Sequence, residues 1–171
     1  MHHIYEEFLH FTNTTMSETN PALTIVRIFD APKEQIWDAW SNPTQLMKWW
    51  GPAGFTSPSC TMDFRVGGKY HFCMRSPEGK DFWVTGTYEE IIPMEKLVYT
   101  DSFAYAEGNV VSGSYYGMEG MPLTFHAHVT FEDMDGKTKM TLVHEGVPEN
   151  IWAETRDSWG STFDKLAESV K

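Results

Sequence analysis

Long apolar runs, basic clusters and paired cysteines are what this sequence lacks, and each absence removes a class of function. No apolar run approaches the ~20 residues a helix needs to cross a bilayer, so no membrane span is expected. Lys and Arg total only 13 against 24 Asp and Glu, a net charge of −11, and the basic residues form no run. A surface this acidic repels phosphate backbones and anionic headgroups, so neither nucleic acid nor a membrane is an expected partner. The N-terminus lacks a basic stretch leading into an apolar one, the pattern of a secretion signal, and a cytoplasmic location is expected. Cys60 and Cys73 are the only cysteines and do not form a CxxC pair. Reduced thiols are therefore expected rather than a disulfide framework. The glycines do not join a strand to a helix as phosphate loops do. Ser112, Ser114 and Ser161 stand in no nucleophile elbow. No cofactor is expected.

Aromatic residues are abundant: 15% of the chain, including seven tryptophans. Two of them fall in "LMKWWGP" (46–52). The polar, turn-prone "TNTTMSETNP" separates residues 1–20 from the rest, and these residues are expected to form an extension outside a domain spanning 21–171. Within the domain, "LTIVRIF" (23–29) reads as a strand. Pro32 and Glu34 suit the start of a helix that clusters Ile36, Trp37 and Trp40. Asn42 and Pro43 then cap a second short helix, which Gly51 and Pro52 stop. Leu46, Trp49 and Trp50 share one face of it, and Lys48 points to solvent. Adjacent positions lie ~100° apart on a helix, so the two indole rings serve different ends. One is expected to pack beneath a long helix and the other to border a cavity mouth.

Strand-like segments follow at 59–66, 68–76, 81–92, 96–103, 123–133 and 137–145, joined mostly by short turns. A longer loop, 104–122, is either a lid or a tolerated insertion. The chain closes on an amphipathic helix in which Trp152, Trp159, Phe163, Leu166 and Val170 form a stripe some five turns long. A sheet of this length curls as its strands twist, and the last helix must bury its stripe against the concave face. The expected class is α+β: a helix-grip fold with about seven antiparallel strands, a long C-terminal helix, and two short helices after the first strand.

"FDAPKEQIWDAWSNPTQLMKWWGP", "RVGGKYHF", "GTYEEIIPMEKLVYTDSF", "VTFEDMDGKTKMTLVHEG" and the terminal W…W…F helix, in this order, resemble the START-like, birch-pollen-allergen-like superfamily (SRPBCC). The branch they resemble is the C-terminal domain of the activator of the heat-shock-90 ATPase. That resemblance implies a hydrophobic cavity between sheet and helix that takes a lipid-like or polyketide-like molecule. It also implies two alternatives, a cyclase- or hydrolase-type enzyme in the same cavity and a chaperone-contacting module. A homodimer is compatible with either role.

Strand parity sorts the candidate residues. Phe125, Ala127, Val129 and Phe131 share one face, so His126 and His128 belong on the other. His144 aligns with Met140 and Leu142 and faces inward. The three histidines therefore do not converge, and no metal site is expected. Tyr70, Phe72 and Met74 face inward, as do Phe82, Val84 and Tyr88. Expected ligand contacts are Trp40, Trp49 and Trp50 from the short helices. From the strands they are Tyr70, Phe72, Met74, Tyr88, Tyr99, Phe125 and His144. The long loop adds Tyr115 and Tyr116, and the last helix Trp152, Trp159 and Phe163. Tyr and Trp supply apolar walls with a few donors, which suits a small amphipathic ligand. His144 and Tyr99 are the candidates should the cavity be catalytic, His144 as an acid/base. Binding rather than catalysis is the expected role.

Overall fold

The computed structural model describes residues 22–171. The expected extension at 1–20 lies outside the described residues. Strand β1 (Ala22–Phe29) buries Leu23, Ile25 and Phe29 and exposes Thr24, Val26 and Ile28. Helix α1 (Lys33–Ser41) starts after extended Pro32, with Glu34 in its first turn, and buries Ile36, Ala39 and Trp40. Helix α2 (Pro43–Leu46) is capped by the Asn42 side chain, which accepts from the Thr44 amide at 3.0 Å. The chain then turns at Gly51, whose φ is +99°.

Six strands follow: β2 (Thr56–Met62), β3 (Lys69–Arg75), β4 (Asp81–Ile92), β5 (Lys96–Ala104), β6 (Phe125–Met134) and β7 (Lys137–Glu145). A 3₁₀ turn, Glu149–Ile151, leads into helix α3 (Trp152–Ser169). The seven strands form one sheet in the order β1-β7-β6-β5-β4-β3-β2, with every neighbouring pair antiparallel. This is the α+β helix grip that the pattern of elements implies. Among the described residues no helix is long and apolar enough to cross a membrane. Cys60 and Cys73 are both free. Burial raises both thiols, to about 12 and about 11.

Besides α2, which ends at Leu46 and leaves Trp49 and Trp50 in the turn beyond it rather than on one helix face, two elements differ from the sequence reading. The segment expected at 59–66 pairs from Thr56 to Met62 instead. Pro58 is tolerated because β2 is an edge strand, where a missing N–H costs no ladder bond, and the register shifts between Thr56 and Ser59. Asp63–Gly68 is a turn, in which the Gly68 amide donates to the Arg65 carbonyl at 2.8 Å. A Cβ at Gly68 would stand 2.0 Å from the Asp63 carbonyl oxygen, so this turn requires glycine.

The second difference is in α3. Its C-terminal half buries Thr162, Phe163 and Leu166, but residues 152–161 bury no side chain fully. The apolar stripe runs on to Trp152, yet only its second half closes on the sheet. Arg27 ties the helix down near its midpoint, reaching Asp164 and the Gly160 carbonyl.

Candidate functional site

The site begins at the two adjacent tryptophans. Trp49 is wholly buried, donates from Nε1 to the Ala39 carbonyl at 2.9 Å, and packs between Trp40 and Phe163. It locks α1, the turn after α2 and α3 together. Trp50 turns the other way. Its ring meets Phe72 at 5.1 Å and Trp159 at 6.0 Å, and it walls a cavity.

The loop after Trp50 is pinned from above by α3. Lys165 Nζ donates to the Gly51 and Phe55 carbonyls, both at 2.9 Å, and Ser161 Oγ accepts from the Ala53 amide at 3.0 Å. Hydrogen bonds from a charged donor contribute about 2 kcal/mol. Lys165→Met is therefore expected to cost about 2 kcal/mol and to lower the melting temperature by roughly 5 °C. Thermal unfolding followed by circular dichroism checks this, and an unchanged midpoint would remove the clamp from the account.

The cavity encloses about 500 Å³ between the sheet and the first half of α3. Trp50, Met74, Val84, Phe103 and Phe125 wall the sheet side. Ile151, Thr155, Ser158 and Trp159 wall the helix side, and Met118, Glu119 and Met121 come from the long loop. That loop is held in place by Tyr116, which donates to the Ala104 carbonyl at 2.5 Å and accepts from the Trp83 amide at 3.2 Å. The volume lies in the range of small-molecule pockets.

Besides Glu119 and Glu154, which are exposed, two titratable groups interrupt the apolar wall, Asp101 and His144. Asp101 is enclosed by protein, and its remaining accessibility is to the cavity it lines. Tyr70 donates to its Oδ1 at 2.9 Å. Burial pushes its carboxyl up to about 6, against the smaller opposing effect of the tyrosine hydrogen bond. His144 is 7% exposed, and burial pushes it down to about 4. Its Nδ1 accepts from Trp159 Nε1 at 3.3 Å, so the neutral ring carries its proton on Nε2, which is buried without a partner.

The structure distributes the expected site residues over several environments. Trp50, Met74, Phe125, His144 and Trp159 meet at the cavity. Trp40, Tyr70, Phe72, Tyr88 and Tyr99 instead surround a void of about 10 Å³ behind Trp50. Trp49 and Phe163 are solid core. Tyr115 is 58% exposed. Trp152 donates to the Val147 carbonyl at 2.9 Å, and neither Trp152 nor Tyr116 lines the cavity.

The small void has its own chemistry. Trp40 Nε1, Trp50 Nε1 and Tyr99 Oη are buried without partners, and all three residues wall it. One water needs about this volume and two to four polar partners. A crystal structure at high resolution is expected to show one ordered water there; featureless density would overturn that assignment.

Asp101 is not among the ligand contacts expected from the sequence. Parity could have placed it: Leu97, Tyr99, Asp101 and Phe103 alternate along β5, which sets a carboxylate on an apolar face. Met118, Glu119 and Met121 carried no such signal, because a loop has no period. His126 and His128 lie on the wet face, 3.6 Å from Glu89 and 3.3 Å from Glu145. Among the described residues no cluster of His, Cys, Asp and Glu is arranged to hold a metal ion.

A curled seven-stranded sheet gripping a C-terminal helix, with a cavity left between them, defines a helix-grip domain of the START-like class. Residues 30–171 match the model of the family described as Activator of Hsp90 ATPase homolog 1-like protein, and the chain belongs to that family. A protein from Chromobacterium violaceum shares 27% identity, covering 87% of this chain and 96% of its own, with a TM-score of 0.72. A protein from Arthrobacter aurescens shares the fold at 24% identity and TM-score 0.74, covering 88% and 86%. The AHSA1 protein from Silicibacter pomeroyi does so at 20% identity and TM-score 0.70, covering 88% and 97%. No protein of curated function matches the chain.

Proposed function

We propose that this protein binds a small hydrophobic or aromatic molecule in the cavity between the sheet and α3, and does so in the cytoplasm. The observation that carries the reading is an open space of about 500 Å³, mostly apolar and aromatic in its walls. Interiors are otherwise close-packed, and the neighbouring void holds only about 10 Å³. The half of α3 that covers the cavity lacks fully buried residues, which leaves it free to adjust around a guest. Catalysis has less support. Tyr99 does not line the cavity, and His144 already accepts a hydrogen bond from Trp159 on its basic nitrogen.

A panel of flavonoids, polyketide-like aromatics and fatty acids tests the proposal by thermal shift and tryptophan fluorescence. A ligand at 100 times its Kd stabilises by about 2.7 kcal/mol, a rise of several degrees, and Trp50 and Trp159 report it by quenching. A panel that neither raises the midpoint nor quenches would sink the reading. The chaperone-contact alternative takes its support from the family description. Trp83, an aromatic on the face of β4 turned away from the cavity that could serve such a surface, is half-buried and stacked on His71 at 4.5 Å. Stimulation of a chaperone ATPase tests that alternative directly.

A further inference from the structure

The charge on the cavity wall carries the binding reading one step further. Among the described residues, the wall includes three carboxylates, Asp101, Glu119 and Glu154, and neither lysine nor arginine. Glu119 and Glu154 are exposed at the rim, whereas Asp101 is enclosed deeper in. Asp101 gives Oδ1 to the Tyr70 hydroxyl, and Oδ2 has no protein partner among the described residues. Trp50 and Trp159 line the same space, and indole is the aromatic system that best attracts a cation.

An anionic guest would enter past two carboxylates toward a third, with no cation to receive it. At Asp101, which protein surrounds, that repulsion is weakly screened. A guest carrying an ammonium meets the opposite situation at each of these points. We propose that the cavity selects a hydrophobic amine, a molecule with an apolar or aromatic body whose protonated nitrogen pairs with Asp101, and rejects carboxylates such as fatty acids. The proposal rests on the cavity-binding reading above, and deepens it by naming the charge of the guest. The single Tyr70 hydroxyl proton is shared between Asp101 Oδ1 at 2.9 Å and the Thr100 carbonyl at 2.7 Å.

The test uses three probes with one apolar body and different heads: 2-(1-naphthyl)ethylamine, 2-(1-naphthyl)ethanol and 1-naphthylacetate. Their affinities are measured by calorimetry at about pH 7.5 on the full chain. The amine is expected to bind at least about tenfold more tightly than the alcohol, as a charge-assisted hydrogen bond implies, and the acid more weakly than either. Asp101→Asn is expected to bring the amine down to the affinity of the alcohol while leaving the alcohol unchanged. Should that variant not fold, Glu119→Gln with Glu154→Gln, both exposed, is expected to weaken the amine and strengthen the acid. Equal affinities for amine and acid would overturn charge selection while leaving the cavity reading intact. No binding of any probe, with none of the broader panel binding either, would overturn both.

Discussion

Trp49→Ala is expected to cost about 4 kcal/mol, the range for an aromatic side chain removed from a closed core. For a domain of this size that lowers the melting temperature by roughly 10 °C or more. The side chain has no exposed surface, its Nε1 satisfies the Ala39 carbonyl, and its ring is shared by Trp40, Trp50 and Phe163. Truncation therefore loses packing, strands a carbonyl and opens a void that three elements cannot close together. Trp50→Ala is expected to cost about half as much, because one side of that ring already borders open space. Its loss should enlarge the cavity and reduce ligand-dependent quenching, which Trp49→Ala should leave proportionally larger. Chemical unfolding of the two variants side by side decides the matter. Equal costs would show that the adjacent rings do not divide the work.

The second large effect is hidden in the wild type and appears only in variants. Asp101 is pushed up from 3.8 to about 6 by burial, so between those values the folded chain holds a proton that the unfolded chain releases. Its contribution to stability therefore falls as pH rises through that window. His144 is pushed down from 6.5 to about 4, so between those values the unfolded chain binds a proton that the folded chain refuses. Its contribution rises with pH. The two slopes oppose each other between about pH 4 and 6, and the wild type should be nearly flat there.

Removing either partner exposes the other. Asp101→Asn should give stability that climbs from about pH 4 to 6.5, and His144→Gln stability that falls from about pH 4 to 6. Each change approaches about 3 kcal/mol at 1.36 kcal/mol per pH unit. The groups around them do not interfere: Tyr70 and Tyr99, beside Asp101, are both driven further into their protonated form. Phe125 and Trp159 flank His144. Urea unfolding at about pH 4.5, 5.5 and 6.5 measures the slopes. Two variants with slopes of the same sign would refute the opposition.

How much of this was legible in the chain differs by element. Gly51 and Pro52 were expected to stop the short helix, but α2 ends earlier, at Leu46, and a turn carries the chain on to Gly51, where the φ is positive. The period of two placed His144 inside and His126 and His128 outside, as found. β2 starts at Thr56 and includes Pro58, ahead of the segment expected at 59–66, since edge and central strands look alike until pairing is known. The stripe on α3 promised burial along five turns, and burial stops halfway, where the cavity lies between helix and sheet.

Local chemistry along the chain determined the elements, their order, their inward faces and the acidic balance of −11. These follow from periodicity and capping, which act over a few residues. Tertiary structure alone decided which aromatic residues became core and which became wall. Trp49 and Trp50 are neighbours in sequence, yet one is fully enclosed and the other faces the cavity. Asp101, Met118 and Ser158 share a wall only because the curled sheet, the loop and the first half of α3 converge there. A cavity is the space that packing leaves unfilled, and no period along a single chain records it.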